Sequence, residues 1–132
     1  MTAPQGTVYL AARINADAKF AFDTYCLELS RAEGLRQKDY EVLERLCFRL
    51  EEKQIRIVLT HALTEVSLKK PVNFVYLAAR IAPPAKLSFD GFALELRQKH
   101  PEIRHDYQVL QGLCFALQLP YVQAVLNPLM KR

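Results

Sequence analysis

The heptapeptide Val-Tyr-Leu-Ala-Ala-Arg-Ile occurs twice in this chain of 132 residues, at Val8–Ile14 and at Val75–Ile81. The offset of 67 residues continues without a gap to the end of the chain, and roughly 24 of the 58 paired positions are identical. Similarity that keeps one register over this length is typical of a repeated unit. The sequence therefore predicts an internal tandem duplication with pseudo-two-fold symmetry.

The two copies are predicted to form one intertwined domain, with residues 7–66 as repeat one, 67–73 as the linker and 74–132 as repeat two. Apolar positions recur between the copies, whereas Ser30–Lys38 and Arg97–His105 share no identical pair. A repeated core with a diverged connection indicates shared packing and different surfaces.

Composition narrows the class of protein. Hydrophobic residues make up 51% and charged residues 24%, which is typical of a globular domain. The apolar runs are far shorter than the ~20 residues of a membrane helix, and Met1–Gly6 lacks the pattern of a secretory signal. We therefore expect a cytoplasmic protein with no membrane partner. The net charge of +4 is compatible with nucleic acid but does not require it.

Each unit is predicted to be β-α-α-α. Val8–Ile14 fits either a short strand or the end of a helix, and a strand would put Leu10, Ala12 and Ile14 on one face. In the second copy Pro83 and Pro84 follow at once, and a double proline stops the preceding element and starts a helix well. That break favours the strand, which makes the fold mainly α with a short two-stranded antiparallel β-ribbon.

Helical periodicity predicts three helices in each copy. The first begins near Asp17, which is expected to cap it, and is followed by a loop. The predicted ranges are Asp17–Leu29, Lys38–Leu50 and Ile55–Val66 in the first copy, and Pro84–Leu96, His105–Leu117 and Pro120–Leu129 in the second.

A strand that ends in Arg-Ile, a break, a helix, a loop with Gly34 and a second helix together resemble the ribbon-helix-helix DNA-binding superfamily. The resemblance covers about the first 45 residues of each copy. Members of that family bind double-stranded DNA as dimers, with one strand from each subunit in an antiparallel ribbon that enters the major groove. A duplicated chain is similar to the single-chain, tandem members among plasmid transfer and mobilisation proteins, and it implies a monomer that acts as a pseudo-dimer.

The resemblance also implies which residues contact DNA. The outward ribbon residues are Tyr9, Ala11, Arg13, Tyr76, Ala78 and Arg80, where arginine can contact guanine and an alanine methyl can pack on thymine. The start of each second helix implies phosphate contacts, from Arg36, Gln37 and Lys38 in one copy and Arg104 and His105 in the other. Lys19 and Lys86 are expected to add backbone contacts. The implied setting is transcription regulation, plasmid maintenance or conjugation.

Other functions have weaker support. Cys26, Cys47 and Cys114 are odd in number and far apart, so we expect free thiols and no metal site, with Cys47 and Cys114 in the core. No Gly-rich phosphate loop or nucleophile motif occurs, so we expect neither an enzyme nor a cofactor.

The alternative is an all-helical protein-interaction module, since Asn73–Ala78 resembles flagellar activator subunits of the FlhD type. Such a module would act through another regulatory or transfer protein.

Overall fold

The computed structural model describes residues 6–131, and this part of the chain holds two strands and six helices. Residues 1–5, which include most of the segment judged for a secretory signal, lie outside the described residues. In chain order the elements are β1 (Val8–Asn15), α1 (Ala16–Glu33), α2 (Asp39–Arg49), α3 (Lys53–Ala62), β2 (Phe74–Ile81), α4 (Pro83–Lys99), α5 (Asp106–Ala116) and α6 (Pro120–Met130).

The two strands form one antiparallel ribbon, although more than fifty residues separate them in the chain. Side chains alternate between its two faces, as the period of a strand requires. Leu10 and Ile14 of β1 and Leu77, Ala79 and Ile81 of β2 are buried on the inner face. The prediction of a mainly helical chain with a short antiparallel ribbon is confirmed, and the all-helical architecture is wrong.

Particular residues at the strand-to-helix junctions explain where helices α1 and α4 begin. The Asn15 side chain accepts a hydrogen bond from the Asp17 amide at 2.8 Å and so caps α1. The prediction that Asp17 is the cap was wrong, because α1 begins at Ala16 and Asp17 already lies in its first turn. Pro83 and Pro84 occupy the first positions of α4, where a missing amide hydrogen is tolerated. Gly34 ends α1 with a φ of 65°, a conformation that glycine adopts at little cost.

The helices pack across the halves of the chain. Helix α1 packs chiefly on α5, and α4 packs on α2. Likewise, β1 lies against α5 and β2 against α2. A single core results, with Phe22, Tyr25, Phe89 and Phe92 among its largest fully buried side chains. The apolar faces of each half are therefore covered mainly by helices of the other half.

The observed helices match the predicted ones closely in α2 and α5, which begin one residue later and end one residue earlier than predicted. Helix α3 ends at Ala62 rather than at Val66. The amides of Thr64 and Glu65 bond to carbonyls only three residues back, so the chain tightens into a turn there. Apolar spacing continues through this turn, which is why the periodicity overestimated the length of α3.

Candidate nucleic-acid interface

The outer face of the ribbon carries the six residues that the sequence assigned to it. All of Tyr9, Ala11, Arg13, Tyr76, Ala78 and Arg80 are exposed, with the two tyrosines at 58% and 60% of their full accessibility. The strand period puts them outside because their neighbours in the sequence fill the core. The structure therefore brings these six residues together on one accessible surface, which we call the ribbon face.

The register of the ribbon centres on two alanines. Ala11 lies opposite Ala78, the residue at the same place in the repeated heptapeptide. Two residues to one side of this centre Tyr9 lies opposite Arg80, and two residues to the other side Arg13 lies opposite Tyr76. The ribbon face therefore has a small, flat centre and a tyrosine–arginine pair at each end.

Both arginines rest on aromatic rings. The guanidinium carbon of Arg80 lies 4.8 Å from the centre of the Tyr9 ring, and that of Arg13 lies 5.2 Å from the centre of the Tyr76 ring. Arg13 also donates a hydrogen bond from Nε to the Tyr76 hydroxyl at 2.8 Å. Cation–π stacking restricts the side chain without removing its charge. Each guanidinium is therefore positioned on the surface as a cation.

The two ends of the ribbon face are not equal. Phe74 adds a second ring beside Arg13, at 4.9 Å from its guanidinium carbon. The corresponding residue of the first half is Thr7, which has no ring to offer Arg80. Sequence reasoning missed Phe74, because it lies one position outside the repeated heptapeptide. A comparison of Thr7 with Phe74 in the sequence would have shown that only the second copy has an aromatic residue at this position.

The start of α2 presents cationic side chains, and the backbone amide of its N-cap residue is already bonded. Arg36 and Lys38 are exposed, as predicted. The Lys38 amide donates to Glu41 Oε1 at 3.1 Å, and Asp39 and Glu41 make the first turn acidic. A phosphate contact here therefore depends on the side chains of Arg36 and Lys38 more than on the cap amide.

Gln37 does not join this surface. Its side chain is only 4% exposed, and its Oε1 accepts a hydrogen bond from Arg45 Nη1 at 2.6 Å. The backbone amide of Gln37 donates to Ser30 Oγ at 2.9 Å, which turns the residue inward. The prediction that Gln37 faces phosphate was wrong, because these two bonds hold it beneath the loop.

The start of α5 differs in detail. Arg104 and His105 are exposed, as predicted, but their backbone amides both donate to Gln108 Oε1, at 2.7 and 2.9 Å. The His105 ring stacks on Tyr107 with 5.7 Å between the ring centres. As at α2, the amide of the N-cap residue is occupied, and the exposed side chains of Arg104 and His105 can contact a phosphate.

Lys19 and Lys86 lie at equivalent places on α1 and α4, and each is paired with an aspartate one turn later. Lys19 Nζ lies 2.6 Å from Asp23 Oδ1, and Lys86 Nζ lies 2.6 Å from Asp90 Oδ1. All four side chains are partly exposed, so the pairs are weak in water. A phosphate would nevertheless compete with a carboxylate for each lysine.

A groove of about 730 Å³ runs from the α1–α2 loop to the ribbon. Its charged lining consists of Arg31, Arg36 and Lys38 together with the carboxylates of Asp23 and Asp39, and Ala78 lies on the ribbon side. In the second half Ile103 stands at the position of Arg36 and is buried, and Arg97 pairs with Asp106. The three cationic side chains of this groove therefore belong to the first half.

Two residues that the sequence did not single out fix the ribbon to the helices. Glu44 Oε2 accepts a hydrogen bond from the Ala82 amide at 2.7 Å, and Gln111 Oε1 accepts one from the Asn15 amide at 2.8 Å. Each of these amides lies at a strand-to-helix junction of the other half. Glu44 and Gln111 occupy equivalent positions with different residue types, so a search for identical pairs overlooks them.

The cysteines belong to the core. Cys26, Cys47 and Cys114 are buried and free, and burial raises the pKa of the Cys47 thiol to about 12. Burial likewise raises the pKa of Cys26 and of Cys114, so all three stay neutral at physiological pH. The described residues contain no group of three or more His, Cys, Asp or Glu side chains that could hold a metal ion.

Within residues 6–131, no single helix is long and apolar enough to cross a membrane. The pair α5 and α6, which is bent by 93°, reaches that length and apolarity only when both helices are counted together. In comparisons with known proteins, the chain matches no family model, no curated protein and no solved structure.

Proposed function

We propose that this chain is an internal duplication that folds as a single-chain pseudo-dimer and binds double-stranded DNA through its ribbon face. The observation that carries the proposal is the ribbon itself. Each half contributes one strand, and the outer face is exposed with an arginine on a tyrosine at both ends. The expected role is regulation of transcription, plasmid maintenance or plasmid transfer, as in ribbon-helix-helix proteins.

Three features support the duplication. The register centres on a residue and its repeat equivalent, Ala11 and Ala78. Helices α2 and α5 begin and end 67 residues apart, the same offset as in the sequence. The halves also exchange their packing, α1 on α5 and α4 on α2, as two subunits of an intertwined dimer would.

Shape and charge support DNA as the partner. The major groove admits a two-stranded β-ribbon, and arginine is the residue that most often contacts guanine there. The structure gives Arg13 and Arg80 aromatic partners, and neither arginine forms a salt bridge with an acidic residue within residues 6–131. Arg36, Lys38 and Arg104 lie at the starts of α2 and α5, where they can contact flanking phosphates.

Fluorescence anisotropy with random-sequence duplex DNA across a salt series tests the proposal. We expect micromolar binding that weakens steeply as salt rises, because binding releases counterions. Lys38→Ala with Arg104→Ala should weaken binding to all duplexes and lower the salt slope by about 1 for each lost phosphate contact. Absence of binding at low salt would contradict the proposal.

A matched control separates the ribbon face from net charge. Lys53→Ala with Lys99→Ala also removes two positive charges, from exposed residues that line a cleft between α3 and α4. This control should bind a selected DNA site almost as the parent does. Arg13→Ala with Arg80→Ala should instead lose the preference for that site. Equal behaviour of the two double variants would remove the ribbon from the proposal.

One surface favours a second function, that of a protein-interaction module. Phe20 on α1 and Leu87 on α4 occupy equivalent positions and are 72% and 70% exposed, and Leu27 and Leu94 follow two turns later with half their surface exposed. Exposed apolar stripes of this kind often bind protein partners. If no duplex binds, these stripes are the surface to mutate in a search for a protein partner.

A further inference from the structure

The register of the ribbon fixes where its two arginines stand. Arg13 lies two residue pairs to one side of the Ala11–Ala78 centre, and Arg80 lies two pairs to the other side. They are on different strands, four residue steps apart along the ribbon. At ~3.4 Å per residue these steps span about 14 Å.

We propose that the target of the ribbon face is a short inverted element with two guanines on opposite DNA strands, about four base-pair steps apart, around an A·T-rich centre. The inference rests on the proposed function. Base pairs in B-form DNA are spaced by ~3.4 Å, so a span of about 14 Å corresponds to about four steps. A two-fold arrangement of protein groups places equivalent contacts on opposite strands.

The arginine contacts specify guanine. Guanine presents two acceptors, N7 and O6, to the terminal nitrogens of an arginine. Arg13 donates to the Tyr76 hydroxyl through Nε, so its two terminal nitrogens are not used in that bond. Arg80 lies over the Tyr9 ring at 4.8 Å. Both side chains are held before DNA arrives, so less conformational entropy is lost when they bind.

The alanines specify the centre. Ala11 and Ala78 face each other at the middle of the ribbon face, and both are exposed. Neither carries a hydrogen-bonding side chain, and a methyl group packs well on the methyl of thymine. Long polar side chains at this place would hold the ribbon away from the bases. Two small residues let it approach an A·T pair closely.

A spacing series tests the inference with the full chain. The probes are labelled duplexes of one length and base composition, each with two guanines on opposite strands separated by two to six steps in an A·T background. Affinity should be highest near four steps and at least about 10-fold lower at two and six. Replacing both guanines of the best duplex by 7-deazaguanine keeps base pairing but removes N7. This replacement should cost about 5-fold or more for each guanine.

Protein variants connect this loss to the two arginines. Arg13→Lys with Arg80→Lys keeps the charge but not the planar two-pronged donor, so it should keep the salt slope and reduce the difference between guanine and 7-deazaguanine. Arg13→Ala with Arg80→Ala should lose both. Circular dichroism of each variant checks that the fold is retained.

The outcomes separate the inference from the function on which it rests. Salt-dependent binding with equal affinity at all spacings would overturn the inference and leave DNA binding standing. An alanine variant that still distinguishes 7-deazaguanine would also overturn it, because the contact would then come from other residues. Failure of every duplex to bind would remove the proposed function and the inference with it.

Discussion

Replacing Gly112 by alanine should destabilise the protein, although alanine is the better helix former. Gly112 lies within α5 and is buried. A Cβ atom there would lie 2.8 Å from Leu68 Cδ2 and 2.9 Å from Leu63 Cγ. Leu63 Cγ moves only if χ1 changes, and the Leu63 side chain is buried, so a new rotamer would meet the packed core around it. The substitution must move α5 away from the segment that follows α3.

The magnitude follows from two opposing effects. Overpacking a filled core costs about 1–3 kcal/mol, and two close contacts put this site in the upper part of that range. Alanine is more favourable than glycine within a helix by about 1 kcal/mol, which offsets part of this cost. The net loss in the free energy of unfolding is therefore about 1–2 kcal/mol, or a fall of about 4–8 °C in the melting temperature of a domain of this size.

Gly91→Ala is the matched control. Gly91 lies within α4 and is exposed, and its Cβ would meet only Arg56 Nη2, at an ordinary 3.5 Å. Without a clash the helix propensity remains, so this variant should gain about 0.5–1 kcal/mol. Urea unfolding followed by circular dichroism at 222 nm measures both changes. A Gly112 variant as stable as the parent, or two variants that shift together, would refute the packing argument.

Further variants and conditions test other parts of the structure. Glu44→Ala should lower the free energy of unfolding by about 1–2 kcal/mol, because it leaves the Ala82 backbone amide without its acceptor. Glu44→Gln should be nearly neutral, because the side-chain amide oxygen of Gln111 already serves as the acceptor at the equivalent position. Urea unfolding distinguishes the two variants. Asn15→Ala should cost about 1 kcal/mol as a lost cap, and a larger effect from Asp17→Ala would reverse the assignment. The three cysteines should resist Ellman's reagent until the protein unfolds. Above pH 9, the ordinary thiol pKa, the cysteines of the unfolded chain ionise, whereas the Cys47 thiol of the folded protein stays neutral up to about pH 12. The free energy of unfolding should therefore fall by about 1.4 kcal/mol per pH unit for each buried thiol. A flat pH profile would contradict the burial of these thiols.

The local elements could be predicted because their causes are local. The alternation in Val8–Ile14 defines a ribbon strand, and Pro83 with Pro84 marks where the next helix begins. Side chains buried through distant partners could not be predicted. Gln37 is polar and lies among cations in the sequence, yet Arg45 and Ser30 hold it inside. No pattern within Arg36–Lys38 contains those partners.

The candidate site divides in the same way. The six positions of the ribbon face follow from the period of a strand alone. The contacts that position Arg13 require the register, since Tyr76 comes opposite it only when the strands pair around Ala11 and Ala78. The exchange of packing between the halves is equally hidden, because an apolar stripe on α1 does not specify α5 as its partner.

A duplication within one chain also changes which asymmetries are open to the protein. In a dimer of identical subunits every substitution occurs twice, so both ends of the ribbon face must remain the same. On the proposed duplication, one copy can change alone. Phe74 at the position equivalent to Thr7, and Ile103 at the position equivalent to Arg36, are changes of this kind. The first change gives a second aromatic ring to Arg13 alone, and the second puts a buried apolar residue where the first half has an arginine that lines a groove. The arginine–tyrosine pairs themselves have not diverged, so the proposed base contacts stay symmetric while their surroundings become unequal.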